Sequence, residues 1–223
     1  MNNSLKRLAV VVTICAMMLC LAGCSGSFDA STFVSGHINS SYLGVFDKEY
    51  LNILVNDEEE LLEDYEAGLV TEAEYFFFYF DIAEESISPE MKTEVAEMYR
   101  KIYAKTKYEV GNTTKSGDSY LVSVTIYPID IISKITEEDA DEFLLDWDNR
   151  TESGEFEDMT DDEFETLWAR GIIDLAQARL GSIGYLEPET ISVQVITQSS
   201  AGEEYYIISE NDTLRIDELI IKY

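Results

Sequence analysis

Three features of the chain predict an α+β fold. Apolar residues recur at intervals of three and four behind capping residues through about Lys105. Period-two alternation then takes over: Tyr120, Val122, Val124 and Ile126 alternate with Leu121, Ser123, Thr125 and Tyr127, and a second such region lies near the carboxyl end. Between the two β regions sits an acid-rich helical stretch, about Thr136 to Leu180. Strands joined by hairpins pair antiparallel, so helices are expected to precede an antiparallel sheet that carries a helical insertion between its second and third strands.

The elements follow from local chemistry. Asp29 or Ser31 can cap a first helix to about Phe46, with Phe33, Val34, Ile38, Tyr42 and Val45 at helical spacing. Lys48 to Val55 reads as a second short helix. From Asp57 to Glu66 seven acids leave Leu61, Leu62 and Tyr65 as an apolar stripe, the pattern of a solvated helix. Gly68 is expected to end it, and the capping-box pair Thr71 and Glu74 to start another. That helix carries six consecutive aromatics, Tyr75 to Phe80; a helix apolar all round is buried. Ser88 and Pro89 then cap and open a helix whose face is Met91, Val95, Met98 and Ile102. Arg100, Lys101, Lys105 and Lys107 crowd its carboxyl end, where cations suit the helix dipole.

The first hairpin is expected to run from Lys107 to Pro128, turning at Lys115 to Asp118. In the insertion, Thr136 is a candidate cap for a helix to about Trp147. Thr160 with Glu163 forms a capping box for the next, which carries Phe164, Leu167, Trp168 and Ile172. Ile191, Val193 and Val195, then Tyr205 and Ile207, alternate as strands, and Leu214 to Ile221 is expected to be a fifth.

The amino terminus has a different character. Lys6 and Arg7 precede an apolar run from Leu8 to Cys20, the pattern of a signal peptide. The run is shorter than the roughly 20 apolar residues a membrane-spanning helix needs. Its ending, Leu21-Ala22-Gly23-Cys24, resembles a bacterial lipobox. The resemblance implies cleavage between Gly23 and Cys24 and diacylglycerol on the Cys24 thiol. Residues 1–23 are then a signal, 24–28 a lipidated tether and 29–223 one α+β domain, with 29–132 and 133–223 as two α+β halves the alternative. The expected location is the extracytoplasmic face of the cell membrane, held through the lipid alone. Two acyl chains suffice for stable anchoring where one does not.

Loss of the signal takes Cys15 and Cys20 with it and leaves roughly 200 residues, enough for a real core but without a disulfide. The formal charge of −30 sets the chain against nucleic acid and anionic headgroups. A chain so charged is often disordered, but 46% hydrophobic and 12% aromatic residues are enough to bury.

Tyr108, Val110, the run Tyr120 to Ile126 and the closing Leu214 to Leu219 resemble the cystatin-like and NTF2-like domains found in lipoproteins of Gram-positive bacteria. That resemblance implies a bent antiparallel sheet wrapped on a helix, with a hollow in which Tyr75, Tyr79 and Asp81 are the candidate ligand-binding residues.

Candidate chemistry is sparse. His37, between Val34 and Ile38, is the one histidine, so a zinc site or a Cys-His pair has no ligands to build on. Its expected place is a surface or boundary position. No phosphate-cradling or nucleophile-elbow motif occurs. Asp146, Asp148, Glu152 and Glu155 flank Gly154, but their spacing departs from a calcium loop. No catalytic residue, resident metal or cofactor is therefore expected beyond the lipid on Cys24. The expected role is a non-enzymatic binding module, with a small-ligand carrier or enzyme using the hollow as the alternative. The acidic runs at 57–66 and 137–165 suggest solvated surface or a basic protein partner.

Overall fold

The computed structural model describes residues 28–54, 57–83, 86–200 and 203–223. The signal segment, Gly23 and Cys24 lie outside the described residues. The chain is α+β, with a four-stranded antiparallel sheet, and it divides into two compact units that interleave in sequence. The first unit comprises the described residues up to Gly68, then Thr106–Pro128 and Glu187–Ile220; the second comprises Leu69–Lys105, Ile129–Leu186 and Ile221–Tyr223.

In the first unit, helix α1 (Ala30–Ile38) begins at Asp29, whose carboxylate accepts the amides of Ser31 at 2.9 Å and Thr32 at 3.4 Å. The Ser31 hydroxyl, donating at 2.5 Å, and then the Thr32 hydroxyl at 3.0 Å add to these amides and hold the Asp29 carboxyl below its ordinary pKa. The helix passes into a π-helical stretch (Asn39–Leu43), and a short α2 (Lys48–Leu51) follows. Tyr50 of α2 is fully buried, and a Cβ added at Gly36 of α1 would lie 2.1 Å from its Cγ. Glycine at 36 is what lets the ring seat there.

The sheet runs β1 (Lys107–Ser116), β2 (Ser119–Tyr127), β3 (Glu189–Ser200) and β4 (Glu203–Ile208), each antiparallel to the next. Gly117, at φ 62°, opens the two-residue β1–β2 turn, where a positive φ matches the twist of the strands. The pairing register of β1 shifts between Val110 and Thr113, a bulge of the kind that bends a strand. Val122, Val124, Ile126, Val193 and Val195 are fully buried, whereas Ser192 and Thr190 of the opposite face are exposed. Helix α1 packs on the sheet, as does the final helix, Glu210–Ile220, labelled α8.

That final helix (Glu210–Ile220) occupies the segment expected to be a fifth strand. Leu214, Ile216, Leu219 and Ile220 suit a helical face as well as alternation, and Ser209 decides the matter. Its carbonyl accepts the amides of Asp212 and Thr213 at 2.9 and 3.0 Å, so the chain turns helical as β4 ends. Asp212, buried in the first turn, accepts hydrogen bonds from the Ser209 hydroxyl at 2.6 Å and from the Gln194 amide of β3 at 2.8 Å. The carboxylate thus continues the bonding of β3 where β4 no longer reaches.

Helix α3 (Glu58–Tyr79) corrects a second expectation, since it runs unbroken through Gly68 and Thr71. Asp57 caps it, accepting the amides of Glu59 and Glu60 at 3.0 Å. A continuous buried stripe, Leu61, Tyr65, Leu69, Ala73 and Phe76, outweighs the glycine's poor helix propensity. Nothing lies within 4 Å of a Cβ placed on Gly68. Gly68→Ala is therefore expected to stabilise the protein by about 0.5–1 kcal/mol, raising the midpoint of a urea titration at unchanged slope. A lowered midpoint would contradict this account of the helix.

The second unit's described elements are helical apart from short bridges. Helix α4 (Pro89–Tyr103) has the expected Ser88 cap, which accepts the Met91 amide at 3.2 Å. Ile129 forms isolated bridges to Tyr185 and Ile221. Helix α5 (Ile131–Ser133) continues through a π-helical stretch (Lys134–Asp139) into α6 (Ala140–Glu152). Thr136 is accordingly no cap: inside this helical run its hydroxyl donates to the Ile132 carbonyl at 2.9 Å. Helix α7 (Asp161–Arg179) does begin at the expected capping box. The Thr160 amide donates to Glu163 at 2.9 Å and the Glu163 amide donates to the Thr160 hydroxyl at 3.3 Å. Arg170 of α7 makes a two-pronged pair with Glu94 of α4 at 2.6 and 2.9 Å, holding the Glu94 carboxyl below its ordinary pKa.

Candidate functional site

Of the residues expected to bind a ligand, Tyr75 and Tyr79 are one helical turn apart on α3, ring centroids 6.4 Å from each other. Both rings pack edge-on against Tyr223, at 4.7 and 5.0 Å. The Tyr223 hydroxyl shares a hydrogen bond with that of Tyr99 and donates to Glu72 at 3.2 Å. Burial, reinforced by these neighbours, pushes the Tyr223 phenol well above its ordinary pKa. Asp81 is exposed just past the end of α3, in the left-handed region at φ 53°. A cavity of about 260 Å³ does open beside α3, lined by Glu74, Phe77, Phe78, Ile82, Ile87 and Lys92. The three expected residues do not line it.

His37 is buried, 8% exposed, rather than at a boundary, and desolvation depresses its pKa to about 4. It is neutral at ordinary pH and sits between the fully buried Val34 and Ile38 of α1. Its imidazole is packed as part of the interior of the first unit.

In the acidic segment around Gly154, Arg150 pairs with two of the carboxylates. Its guanidinium lies 2.8 Å from Glu155 and 3.9 Å from Asp146, and 5.0 Å from the ring centres of both Trp147 and Phe156. These rings belong to an aromatic cluster with Phe143, Phe164 and Trp168 that ties α6 to α7. The Trp147 indole N–H is buried there without a hydrogen-bond partner. Among the described residues no group of three or more His, Cys, Asp or Glu is arranged to hold a metal ion.

The larger concavity was not anticipated. It is a groove of about 730 Å³ where the start of α4, the α6–α7 loop and the first turns of α7 meet. Met91, Met159 and Leu167 line it, with Asp158 and Asp162 beside them. Its volume falls within the roughly 300–1,000 Å³ range of ligand sites. The sequence held one hint, in that Phe156 and Met159 interrupt an otherwise acidic run. Met91, however, is brought to them from a distant part of the chain.

Comparison with known proteins places this geometry in context. No family model matches the chain, and no curated protein matches it. It is similar in structure to a "putative lipoprotein (ycdA)" from Bacillus subtilis subsp. subtilis str. 168, with a TM-score of 0.58 and 13% sequence identity. The likeness covers 87% of this chain and 56% of that one, so this chain spans little more than half the length of the protein it matches. At that identity the shared property is the fold alone. No helix among the described residues is long and apolar enough to cross a membrane.

Proposed function

We propose that the protein is an extracytoplasmic lipoprotein, anchored by diacylglycerol on Cys24, whose folded part is a non-enzymatic binding module. The observation that carries this reading is the Leu21-Ala22-Gly23-Cys24 motif directly behind a cationic and apolar leader. The likeness in fold to a putative lipoprotein supports it, as does a net charge that biases the domain away from anionic headgroups. A helix laid on an antiparallel meander supports reading residues 29–223 as a cystatin-like or NTF2-like α+β domain. The tether, three residues from Ser25 to Ser27, spans about 10 Å when extended, which keeps the domain near the bilayer.

Expression with an alkyne fatty acid tests the proposal. The wild-type chain is expected to take up label and to fractionate with membranes. Cys24→Ala is expected to lose the label and most of the membrane association. Continued labelling of Cys24→Ala, or an unlabelled wild-type chain, would contradict the anchor.

A further inference from the structure

We propose that the groove between α4 and α7 is a docking site for a cationic amphipathic peptide segment, one that seats apolar side chains on its methionine floor with Lys or Arg beside them. The inference deepens the reading of the chain as a binding module and rests on it.

The floor supplies the first argument. Met159 is 36% exposed and Leu167 half-buried, with Met91 nearly buried behind them, so the groove presents a shallow apolar strip that includes a flexible thioether side chain. Methionine adapts its shape to varied apolar surfaces, which suits capture of a peptide more than of one rigid small molecule.

The charges around the groove supply the second. Glu155 is engaged by Arg150, Glu163 closes the capping box of α7, and Arg170 is held by Glu94 and by Asp174 at 3.0 Å. These charges are neutralised or committed within the fold. Asp158 and Asp162 differ: both are exposed, and among the described residues neither has an ion pair or a side-chain hydrogen bond. The unmatched charge at the rim is therefore negative. An apolar strip beside unmatched carboxylates is complementary to a helix with apolar anchors at i, i+3 or i+4 and cations on the flank.

The same charge argues against other occupants. A second copy would bring its own excess of acid, at a formal charge of −30, and would set like charges together. Anionic lipid and nucleic acid are repelled for the same reason.

The test uses the full chain as it is isolated from the cells in neutral detergent, with or without lipid on Cys24, so that it does not depend on the anchoring result. A fluorescein-labelled Leu/Lys helix with its leucines on one face is titrated by anisotropy, alongside a leucine-free lysine peptide of equal charge. The wild-type protein is expected to bind the Leu/Lys helix at least ~10-fold more tightly than the leucine-free peptide. D158N/D162N should weaken binding of the helix by about 5- to 10-fold and reduce its salt dependence, and Met159→Gln should weaken it by several-fold. The control double variant E58Q/E59Q makes the same charge change at the exposed start of α3 and should alter binding less than about two-fold. Equal weakening by the two double variants would overturn the proposal, because bulk charge would then explain the binding. Equal affinity for the leucine-free peptide would overturn it too. So would a concentration-dependent dimer abolished by Met159→Gln, which would make a second copy the occupant.

Discussion

Gly36→Ala is expected to be among the most damaging single-methyl additions to the first unit. The new Cβ would lie 2.1, 2.3 and 2.5 Å from three carbons of Tyr50, a ring with no exposed surface into which to retreat. Overpacking of a tight core costs about 1–3 kcal/mol and occasionally more, and a clash with three atoms of a buried ring belongs at the upper end. Thermal unfolding followed by circular dichroism should show the transition lowered by about 6–12 °C. The double variant Gly36→Ala/Tyr50→Leu should recover part of the loss relative to the sum of the single changes. A Gly36→Ala midpoint within about 1 °C of wild type would show that the ring does not seat against α1.

Acid is expected to weaken the protein through His37. In the folded chain its pKa lies near 4, against 6.5 for the unperturbed side chain, because burial opposes charging. Above about pH 6.5 both states hold the imidazole neutral and the stability is complete. As pH falls from there toward 4, the unfolded chain binds a proton that the folded chain refuses, and stability is lost. A shift of this size corresponds to about 3 kcal/mol by pH 4. Relief of the chain's own negative repulsion works in the opposite direction over the same range, so the informative quantity is the difference between wild type and His37→Met. Urea titrations at neutral pH and near pH 4 should show the variant escaping most of that loss. Parallel pH profiles for the two proteins would contradict the buried, neutral histidine.

Features written in adjacent residues were legible before the structure was known. Ser88 with Pro89, Thr160 with Glu163, and Gly117 each act within a few residues, and each does its expected work. The alternation from Tyr120 to Tyr127 is that of strand β2, in which Val122, Val124 and Ile126 form the buried face, because period two leaves little freedom once one face is covered. The misreadings share a cause. Gly68 and Thr71 carry the local marks of a helix boundary, yet the buried stripe from Leu61 to Phe76 spans them, and packing overrides propensity. Leu214 to Ile221 satisfies either period, and Ser209, just before it, is a modest cue beside the strand-forming residues that surround it.

The candidate site was less legible for a physical reason. The aromatic run Tyr75 to Phe80 suggested a helix buried all round, yet only Phe76 and Phe77 of it are buried and Phe78 is 40% exposed, and the run did not tell what would lie beside it. Tyr223, nearly 150 positions along the chain, lies against Tyr75 and Tyr79. The groove is likewise assembled from Met91 and the segment around Met159 and Leu167, and no local period connects them. The proposed anchor at Cys24 stands apart, since a lipobox would be read as a linear peptide and needs no fold to be recognised.

The central claim is that the mature protein begins at a lipid-bearing Cys24. Its most direct test is the intact mass and amino-terminal peptide of the protein extracted from membranes of the cells that make it. The expected result is a chain starting at Cys24, heavier by a thioether-linked diacylglycerol whose ester-linked acyl chains are released by mild base. A chain that retains residues 1–23, starts at another residue, or carries an unmodified Cys24 thiol would contradict it.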